Sequence, residues 1–293
     1  MQLTIWRHIR LELPADWEML QFSRNAAAGR CAFADRRQFR AELSWQTVSE
    51  PPDLERLASN YLAKQRLEGT MPDAASVRTG EWHGLRGLEE GLLTSRFSRY
   101  LAEEGCLIEV ALLWPDGLDP SLEARVLDSV GSEPPWPGGR RRWRALGIDA
   151  FASPSLDLVE CIAQPALARL EFADAKEARH VTFERLGMVP QWLRGSVRDW
   201  LMWQMPADVQ APVVQASCLC APQMQRLRHQ VETIGGLRRG GLFRRPAHYA
   251  AAAWLCPADG RLYRVAVTGP EAGESGQFIS DRLSCCEGKP LRG

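Results

Sequence analysis

The sequence predicts an α+β protein made of two tandem copies of one antiparallel-sheet domain, each in the order βββ-α-βββ-α with helices packed on the sheet. Three observations predict it. The composition is that of a folded protein, 45% hydrophobic and 25% charged over 293 residues, a length that suits two domains each with its own core. The chain also repeats itself, and a proline- and glycine-rich stretch separates the two copies.

The repeat is read in three blocks. Arg30-Cys-Ala-Phe33-Ala34-Asp35-Arg-Arg37-Gln-Phe-Arg40 recurs as Arg169-Leu-Glu-Phe172-Ala173-Asp174-Ala-Lys176-Glu-Ala-Arg179, an offset of 139 that also places Leu54 on Leu193, Tyr61 on Trp200 and Leu62 on Leu201. Gly105-Cys-Leu107-Ile-Glu-Val110-Ala111 then matches Gly260-Arg-Leu262-Tyr-Arg-Val265-Ala266 at an offset of 155, with Ser129 on Ser284. The first copy is set at residues 1–133, the linker at 134–144 and the second copy at 145–293, with an insertion near 206–222.

Within the first copy, Arg10 to Leu20, Cys31 to Ala34 and Phe39 to Val48 read as strands, the last from the alternation of Phe39, Ala41, Leu43 and Trp45. Pro51-Pro52-Asp53 opens a helix whose apolar positions Leu54, Leu57, Ala58, Tyr61 and Leu62 recur at helical spacing. Val77 to Leu88, Leu93 to Leu101 and Cys106 to Trp114 read as strands, and a closing helix starts at Asp119-Pro120, an N-cap followed by proline in the first turn.

With that order goes the opening Leu11-Glu12-Leu13-Pro14-Ala15-Asp16-Trp17, a strand ending in Pro-x-x-Trp. The pattern resembles the PsbP/DcrB-like family, across all of the first copy and, through the repeat, nearly all of the second. The second copy departs from it, since Ser155 to Cys161 carries no Pro-x-x-Trp. The resemblance implies a small αβα sandwich in each copy and a role in binding and assembly. Members include a photosystem extrinsic subunit, a nuclear-import factor that binds a small GTPase, and Eag-type chaperones that hold apolar segments of secretion effectors.

The setting follows from counts. With 36 basic and 36 acidic side chains there is no global attraction to nucleic acid or to an anionic membrane. The eight cysteines lack the spacing of a secreted disulfide scaffold, no apolar run is long enough to span a bilayer, and no signal-peptide core follows the N-terminus, so a cytoplasmic bacterial protein is expected. Phosphate-loop and His-Glu-x-x-His motifs are absent, and the five histidines stand singly, so neither cofactor nor catalysis is expected. Two features keep other readings open. Cys218, Cys220, Cys256, Cys285 and Cys286 concentrate in the second copy, a weak match to a zinc or thiol site. Arg140-Arg141-Arg142-Trp143-Arg144 and the run Arg238, Arg239, Arg244, Arg245 carry aromatics among arginines, as single-stranded nucleic acid binding would use. Residues 1–139 have 15 basic and 21 acidic side chains, and 140–293 have 21 and 15, which would also suit two copies pairing as an intramolecular pseudo-dimer.

The repeat supplies an internal comparison. If Pro190 to Met205 is one helix, Trp192 and Trp203 fall within about 20° of each other at 100° per residue. Their counterparts are Asp53 and Lys64, and Met202 and Met205 stand where the first copy has Ala63 and Arg66. A polar face has become aromatic and methionine-rich, as adaptable protein interfaces are. The expectation is a non-enzymatic adaptor or chaperone that offers Trp192, Met202, Trp203 and Met205 to a protein partner, such as an apolar segment of a secreted or membrane-inserting protein, with Arg238, Arg239, Arg244 and Arg245 at the rim. A thiol- or metal-dependent enzyme centred on the second copy and a single-stranded nucleic-acid module are the alternatives.

Overall fold

The computed structural model describes residues 1–136, 139–174, 179–210, 230–238, 247–270 and 282–285. The chain divides into two compact units, Met1–Pro134 and Pro135–Gly293.

The first unit opens with a hairpin of β1 (Gln2–Trp6) and β2 (Ile9–Leu13), whose turn residues Arg7 and His8 hold φ of 51° and 70°. Two successive left-handed residues give a turn whose twist fits the strands it joins. Beyond Pro14 the Trp17 N–H donates to the Pro14 carbonyl at 3.1 Å and the chain enters β3 (Glu18–Phe22), so the strand expected from Arg10 to Leu20 is two. There follow β4 (Ala28–Ala34), β5 (Phe39–Thr47), α1 (Leu54–Glu68), β6 (Ala75–Thr79), β7 (Trp82–Glu89), β8 (Leu92–Leu101), β9 (Cys106–Trp114), α2 (Pro120–Ser129) and β10 (Gly131–Ser132). Expected strand Val77 to Leu88 is the hairpin β6–β7, which turns at Gly80-Glu81. The seven-stranded sheet runs β3-β4-β5-β9-β8-β7-β6, antiparallel throughout, and its centre pairs Leu43 with Val110 and Trp45 with Ile108.

In the first unit the Phe-Ala-Asp motif is turn chemistry. Asp35 Oδ1 accepts the N–H groups of Arg37 at 2.7 Å and Gln38 at 2.9 Å, and its Oδ2 accepts Arg40 Nε at 2.5 Å. The Arg37 N–H, then the Arg40 guanidinium and the Gln38 N–H, hold the Asp35 carboxyl down at about 2 against an ordinary 3.8. A depressed carboxylate stabilises the fold above its unfolded value, and that contribution is lost as pH falls through the folded value. Melting of the wild type is expected to drop between about pH 4 and about pH 2 by more than that of Asp35→Asn. Parallel curves would show that the turn does not depend on the charge.

The second unit begins with β11 (Arg141–Ala145) and β12 (Ile148–Ala152), joined by Leu146 and Gly147 at φ 55° and 69°, the same turn as Arg7-His8. A Cβ on Gly147 would lie 1.4 Å from Arg185 Nη1, which donates to the Leu146 carbonyl at 2.8 Å, so glycine serves here for space as well as conformation. The Leu156 N–H donates to the Ser153 carbonyl at 3.1 Å, reproducing the Pro14–Trp17 turn without its motif. Then come β13 (Asp157–Gln164), β14 (Leu167–Asp174), β15 (Arg179–Leu186), α3 (Val189–Trp192), α4 (Val197–Trp203), β16 (Val209–Gln210), β17 (Val231–Arg238), β18 (Ala247–Leu255), β19 (Leu262–Gly269) and β20 (Leu283–Ser284). Its seven-stranded sheet runs β13-β14-β15-β19-β18-β17-β16.

The expected fold class, two tandem αβα sandwiches, is overturned. Of the described residues 53% are strand and 17% helix. A helix-sheet-helix sandwich needs a helical layer on each face of the sheet, and the second layer here is built of strands. Trp6 of β1 lies 5.5 Å from Phe22 of β3, and Trp143 of β11 meets Phe172 of β14 edge-on at 5.1 Å. Helix α2 packs on β2, outside the seven-stranded sheet, burying Val126 and Leu127. Helix α1, capped by Asp53 and by Gly69 at φ 70°, sets Tyr61 and Leu62 against Met71, Ala74 and Leu85, while Leu57 stays 38% exposed. The single helix expected over Pro190 to Met205 is also broken. Ser196 and Asp199 form a capping box that starts α4 afresh after the four-residue α3. Residues 141–144, expected in the linker, belong to β11, and the expected insertion falls outside the described residues from 211 onward.

Candidate functional site

Around α4 the apolar residues sort into two sets. Leu201 points into a cluster with Val189, Val209, Ile234, Tyr249, Ala251 and Ala253, which Trp192, Trp200 and Met205 pack against. Trp192 donates its Nε1–H to the Gly187 carbonyl at 2.8 Å and lies 5.9 Å from the Trp200 ring. Met202 and Trp203 stand on the other side, 36% and 80% exposed. The break between α3 and α4 explains the division, because the phase that put Trp192 beside Trp203 assumed one continuous helix. Of the residues singled out from the sequence, Trp192 and Met205 thus join one core while Met202 and Trp203 reach solvent.

The rim arginines are accounted for only in part. Arg238 donates from Nε and Nη2 to Asp208 Oδ2 at 2.9 and 2.7 Å, and that guanidinium holds the Asp208 carboxyl below its usual range. Arg239, Arg244 and Arg245 lie outside the described residues. In the other basic run, Arg142 grips Asp149 with Nε at 2.8 Å and Nη2 at 2.6 Å and covers the rings of Trp136 and Phe151, and Arg144 shares Asp149 at 3.7 Å. Those two arginines and their aromatic neighbours are engaged internally, which leaves fewer groups to meet a nucleic-acid backbone.

The thiol set is likewise divided. Cys218, Cys220 and Cys286 lie outside the described residues, and among the described residues no group of three histidine, cysteine or acidic side chains is placed to hold a metal. Burial pushes the Cys256 thiol up, against backbone N–H groups of Ala258 and Asp259 and the side chain of Cys285. No described helix is long and apolar enough to cross a membrane.

Sequence reasoning missed Glu184, the most buried charged side chain among the described residues of the second unit. Glu184 on β15 accepts Arg169 Nε at 2.7 Å and Arg264 Nη1 at 2.6 Å, and Arg264 Nη2 donates to the Tyr249 hydroxyl at 3.2 Å. The network lies on the helix-side face, beside the cluster under α4, since Tyr249, Ala251 and Ala253 share that face. The first unit repeats the idea at different positions: Arg96 binds Glu89 at 2.9 Å and approaches Glu109 at 3.5 Å, with Glu109 pushed up by burial. Only the strand register puts these charges together. In sequence they read as the wet positions of alternating strands.

No family model matches the chain, and no curated protein does. Among solved structures, one from Bacteroides thetaiotaomicron VPI-5482, a crystal structure at 1.50 Å resolution, is similar at 14% identity and a TM-score of 0.27, over 46% of this chain and 47% of that one. The chain thus spans about half the length of that protein. The WD40 domain of SCAP from fission yeast is similar at 5% identity and a TM-score of 0.12, over 91% of this chain and 71% of that one. Likenesses this distant carry no argument about fold or function.

Proposed function

We propose that the protein is a non-enzymatic adaptor that captures an apolar segment of a protein partner on the solvent side of α4, through Trp203 and Met202. The observation that carries this reading is Trp203 itself, 80% exposed at the end of a helix whose Trp200 and Leu201 are packed into the core. An indole left in water forgoes about 3 kcal/mol that a partner's apolar surface would recover. Met202 beside it adds a polarizable side chain that adjusts to varied shapes. The ion-paired Arg238 and Asp208 near the start of β16 supply a polar margin, the arrangement in which a buried centre gives affinity and a rim gives register.

Trp203→Lys is the test. Its melting temperature should stay within the range of an ordinary surface change, a shift under about 0.5 kcal/mol, while Leu201→Lys at the packed neighbour should not fold. Proteins that co-purify with the wild type from its native host should be lost selectively from Trp203→Lys. Equal recovery by both proteins overturns the proposal, as does a Trp203→Lys protein that fails to fold.

A further inference from the structure

At the opposite end of β18 from its start, two thiols distant in sequence come together. Cys256 follows β18 and is fully buried; its N–H donates to the Arg261 carbonyl at 2.8 Å and its carbonyl accepts the Gly260 N–H at 2.9 Å, which fixes the turn into β19. Cys285 follows β20 and is half-buried, and its side chain is among the groups that act on the Cys256 thiol. The Tyr263 hydroxyl, 2.7 Å from Asp259 Oδ2 and 3.4 Å from the Cys285 carbonyl, ties the same turn to the same strand end, and its ring stacks on Trp254 at 6.0 Å. The pairing belongs to the second unit. Cys256 takes the place that Leu101 holds opposite Cys106, and the paired strands β12–β20 and β2–β10 put Cys285 where the first unit has Ser132.

We propose that Cys256 and Cys285 are a dithiol that closes reversibly to a disulfide by exchange with a low-molecular-weight disulfide such as oxidised glutathione. The half-exposed Cys285 thiolate attacks one glutathione sulfur, breaks the S–S bond and releases one glutathione thiolate, which takes up a proton. Cys256 then gives up its proton, attacks the Cys285 sulfur of the mixed disulfide and expels the second glutathione thiolate. Two protein thiols are oxidised and one glutathione disulfide is reduced to two thiols. The buried partner cannot be the first to react, and its raised affinity for its proton makes the second step faster as pH rises. Closure fastens β20 to the end of β18, so the strand pairing of Leu283 and Ser284 with β12 no longer depends on two residues alone.

The experiment uses the full chain incubated with oxidised glutathione under native conditions, alkylated and mapped by peptide mass spectrometry. Expected are a Cys256–Cys285 cross-link with a mass loss of about 2 Da, the two thiol hydrogens, and a melting temperature raised by about 5 °C, reversed by dithiothreitol. Cys285→Ser should abolish both changes while melting like the reduced wild type. A glutathione adduct confined to Cys285, or Cys285 joined to Cys286, Cys218 or Cys220, overturns the proposal. So does a cross-link that leaves the melting temperature unchanged.

Discussion

Glu184→Ala should destabilise the second unit by about 3–5 kcal/mol, the effect of removing one partner of a buried ion pair and leaving the other charged. Glu184 and Arg264 are 3% and 8% exposed, and Arg264 Nε already has no protein partner. Burial works against the Arg264 charge, but Glu184 and the Tyr249 hydroxyl hold it protonated. Without Glu184 the guanidinium keeps one bond, to Tyr249, and Arg169 loses its inner anchor. The loss should appear in denaturant unfolding and as faster amide exchange across β14, β15 and β19, the strands that Glu184 joins. Glu184→Leu combined with Arg264→Met should recover most of it, because two apolar side chains of similar volume need no partners. A loss under about 1 kcal/mol would mean that Arg264 finds another acceptor or water.

Arg86→Ala should cost the first unit a comparable amount, about 3–4 kcal/mol. Glu123 on α2 is buried, with Oε1 2.5 Å from Arg86 Nη2 and Oε2 without a protein partner. Arg86 Nε also donates to Ser95 Oγ at 3.0 Å, which accepts Trp114 Nε1–H at 3.1 Å from the next strand. One guanidinium therefore serves a buried carboxylate and a buried hydroxyl, and its removal strands the carboxylate. Adding Glu123→Gln to Arg86→Ala should restore about half of the loss, since an amide is less costly to bury than a carboxylate. If the double variant is no better than the single one, the arginine acts by packing its stem and not by its charge.

The strands were the most legible part of the sequence, because alternation such as Phe39, Ala41, Leu43 and Trp45 reports a sheet with one apolar face. The turns were legible only where their residues are unusual. Arg7-His8 gives no turn signal, so the sequence does not mark β1, and Thr79-Gly80-Glu81-Trp82 lies inside the stretch Val77 to Leu88 that reads as one strand. Helical spacing overstates the helix layer. Leu57 and Tyr61 keep helical spacing, yet α1 covers β6 to β8 without enclosing Leu57, and what covers the other face could not be told from spacing. The start of α4 did have a signal, Ser196-x-x-Asp199, which divides Trp192 from Trp203. At the candidate surface Trp203 was found by comparing the two halves of the chain, whereas the Glu184 network needed a register that no single strand contains.

The strand order has a kinetic consequence. At the centre of each sheet Ala41 meets Leu112 and His180 meets Thr268, so the middle pairing joins strands made far apart on the ribosome. Until β9 or β19 emerges, β5 or β15 presents an unpaired edge to its surroundings, and folding belongs to the slow, high-contact-order class that takes milliseconds to seconds. Nascent chains of this protein are therefore most exposed to misassociation just before the last long strand of each unit is completed.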